Sequence, residues 1–524
     1  MQEGERKAMP RKAVRAVNAV IAAAAAMLAF EGAAAPRGYV TYEQFGAVGD
    51  GKADDQAAIV AAHKEANKKG LPVRAGDGRT YYIGRGASVA VIKTDVDFGT
   101  AKFVIDDREL DDCRAPVFRV DPSRKPFAVK GVATLASGQR GLGVALPGPC
   151  LMEVQDGNVR QYIRYGRNQN NGTARREVFL ADASGEVDPR TPIIWDYKAV
   201  TGLKAHPMDA RTLVVKGGHF TTIANQAESK YVYHARGIAV RRSNVRIEGV
   251  RHYVTGEGDH GAPYGSFVGV SFCANVTVSN CLFTAHRTYS TIGSAGKPVS
   301  MGSYDISANN AVNVSFVDCR QTTDINDRRY WGLFGSNYCK NLLYDGCEFS
   351  RFDAHMGVAN ATVRNSRLGY MGINAIGFGT FLVENTTVCC PNFFNLRDDY
   401  GSTWKGEFVV RNCTFVPGNG NGAQGTLVHG VSTDWHDFGY PCEMPRRIVF
   451  DGLRIDDSCH PEKYEGPRIF AAFNSKNKGP EYVEKFPYKV TEEVVLRNVT
   501  TASGKDVVLG PNKYMFRNVK VRRK

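Results

Sequence analysis

The chain contains no CxxC pair, no dense run of basic residues before 521–524 and, after its first 35 residues, no apolar stretch near the roughly 20 residues that cross a bilayer. The first absence leaves a zinc site without support. The second removes the usual footprint of a nucleic-acid binder, and the third excludes an integral span from the body of the protein. What is present is globular: of 524 residues, 43% are apolar, 23% charged and 10% aromatic, which excludes a disordered chain. Fifty-five glycines and 22 prolines, with recurrent Asn-Gly and Asp-Gly pairs, point to a turn-rich β protein. Length alone does not count domains here, because repeat proteins enlarge one core by stacking.

Residues 1–35 stand apart. Arg6, Lys7, Arg11, Lys12 and Arg15 precede an apolar stretch at 17–30, and Ala33, Ala34 and Ala35 follow. That is the order of a secretory signal peptide, with cleavage near Ala34 or Ala35 and a secreted product, extracellular or periplasmic. The alternative is a retained membrane anchor, for which the run is short. Loss of this segment removes five Lys/Arg and three Asp/Glu, so the formal charge falls only from +14 to +12. A basic exported protein suits an acidic polysaccharide as partner better than a nucleic acid.

The strongest signal is internal repetition. Ten octets align, starting at Val245, Val276, Val314, Leu342, Ala361, Phe381, Phe408, Ile448, Val494 and Tyr514; their first and third positions are all apolar and the fourth is usually charged. This in–out alternation is that of a half-buried strand. The fifth position holds only Asn, Gly or Asp, from Gly249 to Asn518, which are the residues that tolerate a left-handed corner. The shortest spacings between corners, 19 and 20 residues, are too short for a propeller blade and fit one coil of a solenoid. Such coils bury their apolar faces by stacking about 4.8 Å apart, which predicts an all-β parallel β-helix over 36–524. Cys281, Cys319, Cys347 and Cys413 share one repeat position with Leu453 and Val499, so they read as stacked buried thiols rather than disulfides.

Near the N-terminus, Asp54 or Asp55 caps a predicted helix that ends at Gly70 and would plug the first coil. The segment FGAVGDGKADDQAAI closely resembles the FGAxGDGxxDDxxAI opening motif of the pectate-lyase-like superfamily of right-handed β-helix proteins, which includes polysaccharide hydrolases, lyases and phage tailspikes. The resemblance implies right-handed coils and names a fold, not a reaction. Residues 152–200, with Asn171-Gly172 and Ser184-Gly185 turns, read as a β-hairpin insertion.

Polar residues concentrate between the octets of the middle coils and should share one groove. Hydrolysis of a glycosidic bond needs two carboxyl groups. Asp353 with Asp398 or Asp399 lies two coils apart, about 9 to 10 Å, as in an inverting pair; Asp327 with Asp353 lies one coil apart, about 5 Å, as in a retaining pair. His355, Asn374, Arg397, Arg328 and His260 are candidates to orient or bind substrate, and Trp331, Tyr400 and Trp404 to stack on sugar rings. The groove also admits β-elimination from a uronate, by a base assisted by Arg, Lys or a metal. The resemblance implies calcium for some lyases of the superfamily; for hydrolysis no cofactor or metal is expected. The Gly-His-Gly motif of its polygalacturonase-like hydrolases is missing, Asp259-His260-Gly261 being the nearest approach. The sequence thus predicts an exported polysaccharide-cleaving enzyme, hydrolysis ranking ahead of elimination, with a non-catalytic glycan-binding protein as the other class. An export signal argues against a tailspike.

Overall fold

The computed structural model describes residues 38–228, 231–259 and 261–524. The leader expected at 1–35 and the candidate His260 lie outside them. No helix among the described residues is long and apolar enough to cross a membrane.

The described chain is mostly β and is dominated by one long parallel sheet wound in coils. Coils such as Ile238–Val240, Val245–Glu248 and Arg251–Thr255 carry three short strands, and in the middle of the stack these merge into the long strands Glu348–Arg364 and Arg367–Glu384. Every strand pairs in parallel with its counterpart one coil on: Ile238 with Val268, Val245 with Val276, Arg251 with Leu282. The second strands carry the first half of each octet. From Val245 through Val276, Val314, Leu342, Ala361, Phe381, Phe408 and Ile448 to Val494, their first positions pair in register. Inward side chains of all coils merge into one core running from Val40 to Phe516. This arrangement is consistent with a parallel β-helix.

The corner inside each octet is where the sequence placed it. Gly249, Asn280, Asp318, Gly346, Asn365, Asn385, Asn412, Gly452 and Asn498 all have φ between 47° and 70°. Here only Gly, Asn and Asp avoid most of the strain of a Cβ against the following carbonyl. Replacing Asn365 with valine is therefore expected to cost about 2 kcal/mol in urea unfolding, and Asn365→Gly much less. Equal effects of the two would remove backbone strain as the cause.

The tenth octet is a correction. Tyr514 does not stack under Val494; the strand Lys520–Arg523 does, with Val521 opposite Val494, and Asn518 is not a left-handed corner. Residues 514–519 instead form turns. Met515 and Phe516 are buried there, Phe516 stacked at 4.4 Å on Phe470. Apolar residues two apart satisfy a capping turn as well as a strand.

The helix Gln56–Lys69 packs Ala58, Ile59, Ala62 and Ala66 against the first coil and ends at Gly70 in a left-handed conformation. Asp54 Oδ1 accepts the Gln56 N–H, while the Asp55 carboxylate turns back to the N–H groups of Val48 and Gly49, pinning the loop of the FGAVGDG motif. All twelve cysteines are free, and Cys281, Cys319, Cys347 and Cys413 are buried.

Between Phe118–Val120 and Leu213–Ile223 the chain leaves the coils to build a four-stranded antiparallel sheet: Phe127–Ala128, Cys150–Gln161, Thr173–Ala181 and Gly202–Pro207. It contains the 152–200 stretch, extends beyond it on both sides and has its own core around Met152, Phe179 and Tyr197. Leu151, Val178 and Leu180 dock it on Ala274 and Val312, and a buried Glu177–Lys340 ion pair of 2.6 Å fastens it to later coils. This position aims the 162–172 turn at the middle of the stack.

Candidate functional site

The strand Glu348–Arg364 passes from one coil to the next without a break. Phe352 and Ala354 point into the core, so the period of two turns Arg351, Asp353 and His355 outward. Asp353 pairs in register with Asn374, Asn374 with Asn395, and Asn395 with His429, which makes a column of polar side chains across four coils. Beside this column a short 3-10 turn, Asp398–Tyr400, brings Arg397 and Asp399 over it.

Three guanidinium groups hold two carboxylates there. Arg351 pairs with Asp353 at 2.6 Å; Arg397 reaches Asp353 at 3.6 Å and Asp399 at 2.8 Å; Arg164, from the insertion, binds Asp399 at 2.8 Å. The cluster therefore carries one net positive charge. Burial would raise the Asp399 pKa, but Arg397 first and then Arg164 outweigh it and bring it down to about 2. Burial likewise opposes the charge on Arg397, and the two carboxylates more than compensate.

Next to this lattice, His355 is half-buried and edge-on to Tyr400 at 5.3 Å. Its protonation is pushed well below the ordinary imidazole range by burial first and then by Arg397, so it is neutral at pH 7. The tautomer follows from an amide relay. Asn337 Nδ2 donates to Asn309 Oδ1 at 2.8 Å, which leaves Asn337 Oδ1 as the acceptor facing His355 Nδ1 at 2.9 Å. Nδ1 therefore carries the proton and Nε2 the lone pair. His429 repeats the device: Asn374 donates to the Met371 carbonyl, Asn395 Nδ2 to Asn374 Oδ1 at 2.7 Å, and His429 Nδ1 meets Asn395 Oδ1 at 3.1 Å.

Several expected roles do not fit these positions. Asp353 is wholly buried between Arg351 and Arg397 and faces no solvent from which a sugar could approach. Asp327 is clamped by the Arg329 fork, with contacts of 2.6 to 3.1 Å, and is held below its ordinary pKa by that side chain. Arg328 stands exposed beside it. Asp398 is exposed, near His429. Asn374 spends both ends of its amide inside the relay and is a positioning residue. Trp404 is a core residue: its indole N–H donates to the Gly379 carbonyl at 2.8 Å, and it rests where a Cβ on Gly377 would come within 2.8 Å of it. Trp331 faces the Arg351 guanidinium at 5.7 Å, and Tyr400 is buried under Arg164.

Asp305 and His286 are interior. Asp305 accepts from His252 Nδ1 at 2.7 Å and the Thr284 N–H at 2.8 Å, with His286 Nε2 at 3.6 Å; His286 Nδ1 lies 3.0 Å from Glu257. Phe267 and Tyr264 cover the two imidazoles face to face.

Residues that sequence reasoning did not single out complete the site. Tyr165 N–H donates to the Asp399 carbonyl at 3.0 Å, Ile163 N–H to the Phe438 carbonyl at 3.2 Å, and His436 Nε2 meets the Ile163 carbonyl at 3.1 Å. The insertion turn, the 398–402 turn and the 431–442 loop are thus one assembly. A cleft of about 360 Å³ opens beside it, lined by Asp434, His436, Phe438, Tyr440 and Tyr488. The run Asp434-Trp435-His436-Asp437-Phe438 is the sequence signal, hidden in the spacer between the octets that start at Phe408 and Ile448.

Among the described residues no group of three or more His, Cys, Asp or Glu side chains is arranged to hold a metal ion. The carboxylates of the cluster are taken by guanidinium groups, so a calcium ion does not fit them.

No known family model matches the chain. A capsule KL64-specific depolymerase of Klebsiella phage P510 is 31% identical over 100 residues, which are 16% of this chain and 10% of that protein. The chain thus matches only about a tenth of that relative's length. Among solved structures, tailspike gp61 of Pseudomonas phage phi297 aligns over 91% of this chain and 82% of its own at 14% identity, with a TM-score of 0.54. Tailspike gp49 of Pseudomonas phage LKA1 gives the same score and identity over 91% and 83%. The Gp54 tailspike of Acinetobacter baumannii phage AP22, solved with a capsular saccharide, aligns over 92% and 79% at 10% identity with a TM-score of 0.51. The chain shares their fold.

Proposed function

We propose that the chain is an exported right-handed parallel β-helix protein that binds an acidic polysaccharide in this groove and cleaves it by β-elimination. Support for a polysaccharide comes from the capsule depolymerase match and from the saccharide-bound tailspike of like fold. The observation that carries the reaction class is His355: neutral, with Nε2 fixed as the lone-pair nitrogen, beside a guanidinium cluster with one positive charge to spare. Hydrolysis requires a carboxyl that stays protonated near neutral pH. Asp399 at about 2 and the clamped Asp327 do not meet that need, Asp353 is out of reach, and Asp398 stands exposed with no ion-pair link to the guanidinium cluster.

In the proposed step His355 Nε2 takes the proton on the carbon α to the uronate carboxylate, and Arg397 with Arg164 carries the charge that builds on that carboxylate. The electron pair forms a new C–C double bond as the glycosidic C–O bond breaks. The imidazolium then returns its proton to the departing oxygen.

Gel filtration of digests tests the substrate class. Polygalacturonate, alginate or hyaluronan should shorten and dextran should not. Shortened dextran would overturn the acidic specificity, and binding without shortening of any chain would favour the non-catalytic class.

The pH profile has a defined sign. A depressed His355 keeps its base form as pH falls through about 6.5, the ordinary imidazole value. Cleavage should therefore stay level from about pH 8 to pH 6 and fall only below that. A rate halved near pH 6.5 would contradict the assigned state of His355.

A further inference from the structure

The described chain exposes nine large apolar side chains; Tyr39, Phe45 and Val48 lie by the N-terminal cap and Val483 on a late loop, and the other five gather in one place. Tyr231, Val232, Ile292, Val431 and Trp435, exposed by 39%, 43%, 61%, 36% and 51%, all lie on segments that meet the insertion turn. Trp435 stands perpendicular to Tyr165 with ring centroids 4.6 Å apart, so the two rings form an open corner. Tyr231 lies beside Arg164 and Asn168. The turn is tied to the hairpin Tyr289–Ile292/Pro298–Met301 by Asn168 Oδ1, which accepts from the Ser294 N–H and hydroxyl, both at 2.7 Å.

Between turn and hairpin runs an open cleft of about 650 Å³ lined by Tyr165, Arg167, Gln169, Lys297 and Pro298. Arg167 and Lys297 are exposed, and neither meets a carboxylate among the described residues. Tyr165 belongs to both places: it lines this cleft, and its N–H binds the Asp399 carbonyl. The exposed Trp435 ring, set at a right angle to the half-buried Tyr165 ring, offers a face to the C–H surface of a sugar, and unpaired cations nearby select a carboxylate-bearing one. A neutral glycan would use the rings and leave both charges idle.

We propose that the insertion turn and the 289–301 hairpin form a second saccharide subsite, where Tyr165 and Trp435 stack on sugar rings and Arg167 with Lys297 holds the carboxylate of a uronate unit adjoining the one cleaved. The subsite rests on the acidic-polysaccharide reading above but not on its reaction step. It gives the insertion a function, which is to hold the chain in register over the His355 groove.

The test uses His355→Ala as an intact, non-cleaving protein, with polygalacturonate, alginate and hyaluronan as probes in affinity electrophoresis. Adding Arg167→Ala and Lys297→Ala should weaken retention by the bound polymer about tenfold at low salt, and by much less at high salt. Adding Trp435→Ala should weaken it about tenfold at both, with Trp435→Phe restoring most of it. Retention of all three polymers within twofold of the parent, or no retention by the parent, would overturn the subsite. Weakened retention together with a wild-type protein that forms no double bond would sink the elimination and leave the subsite standing. Unchanged retention together with normal cleavage would do the reverse.

Discussion

Replacing His355 with alanine is expected to lower the rate of chain cleavage about a thousandfold while the protein still folds and still retains polysaccharide. The size follows from the role: the change removes the base itself and not a contact that orients it. The fold should survive because His355 points outward from the coil and is half-buried, with Phe352 and Ala354 holding the strand to the core. The relay behind it allows a finer test. Asn337→Ala removes the acceptor of the Nδ1–H bond and frees the ring to choose the wrong tautomer, so kcat should fall about tenfold or more with KM little changed. Asn337→Asp keeps the acceptor but adds negative charge, which favours the imidazolium and moves the acid limb of the pH profile upward. A residue serving only stability would leave that limb in place. Full activity of His355→Ala would remove the proposed base.

The second large effect is on stability. Asp305→Ala is expected to cost about 3–5 kcal/mol in chemical denaturation, because it leaves partners buried without their counter-charge. The affected groups are His252, His286 and the Thr284 N–H, none of which can turn to water. Burial opposes protonation of His286, yet the carboxylates of Asp305 and Glu257, one facing each ring nitrogen, raise its pKa to about 9. A folded-state pKa raised above the unfolded value near 6.5 gives stability that is complete below about 6.5 and is lost as pH rises through about 9. The wild type should therefore lose stability across that window, and Asp305→Ala should lose much less of it. A cost within about 1 kcal/mol would show that the network is not under the strain of buried charge.

The repeat was readable because the corner admits so few residues: nine octets stack in the register that their Gly, Asn or Asp predicts. A second corner went unread although it is in plain sequence. Asn244, Asn275, Asn313, Asn341 and Asn360 precede successive octets, adopt positive φ and bond one another in a ladder of 2.8 to 3.3 Å contacts. The same amide stacking, one strand earlier, fixes the His355 tautomer.

At the site, the segments 351–355 and 397–400 were legible since coil order makes them neighbours. Their ion pairing was not, because stacking distance places backbones and says nothing of which guanidinium a carboxylate finds. Arg164 is 235 residues from Asp399 and reaches it through an insertion that obeys no coil period. Trp404 looked like a loop aromatic between Thr403 and Lys405, but Gly377 and Gly379 one coil below leave a slot that only a large ring fills.

The most direct test of the central claim is to digest a uronate-bearing polysaccharide and follow new reducing ends together with absorbance at about 235 nm, where the conjugated double bond of an eliminated uronate absorbs. A neutral His355 acting as base among arginines predicts that both rise together, one unsaturated end for each bond cut. Reducing ends that accumulate with no absorbance would mean that water, and not a double bond, replaces the broken linkage.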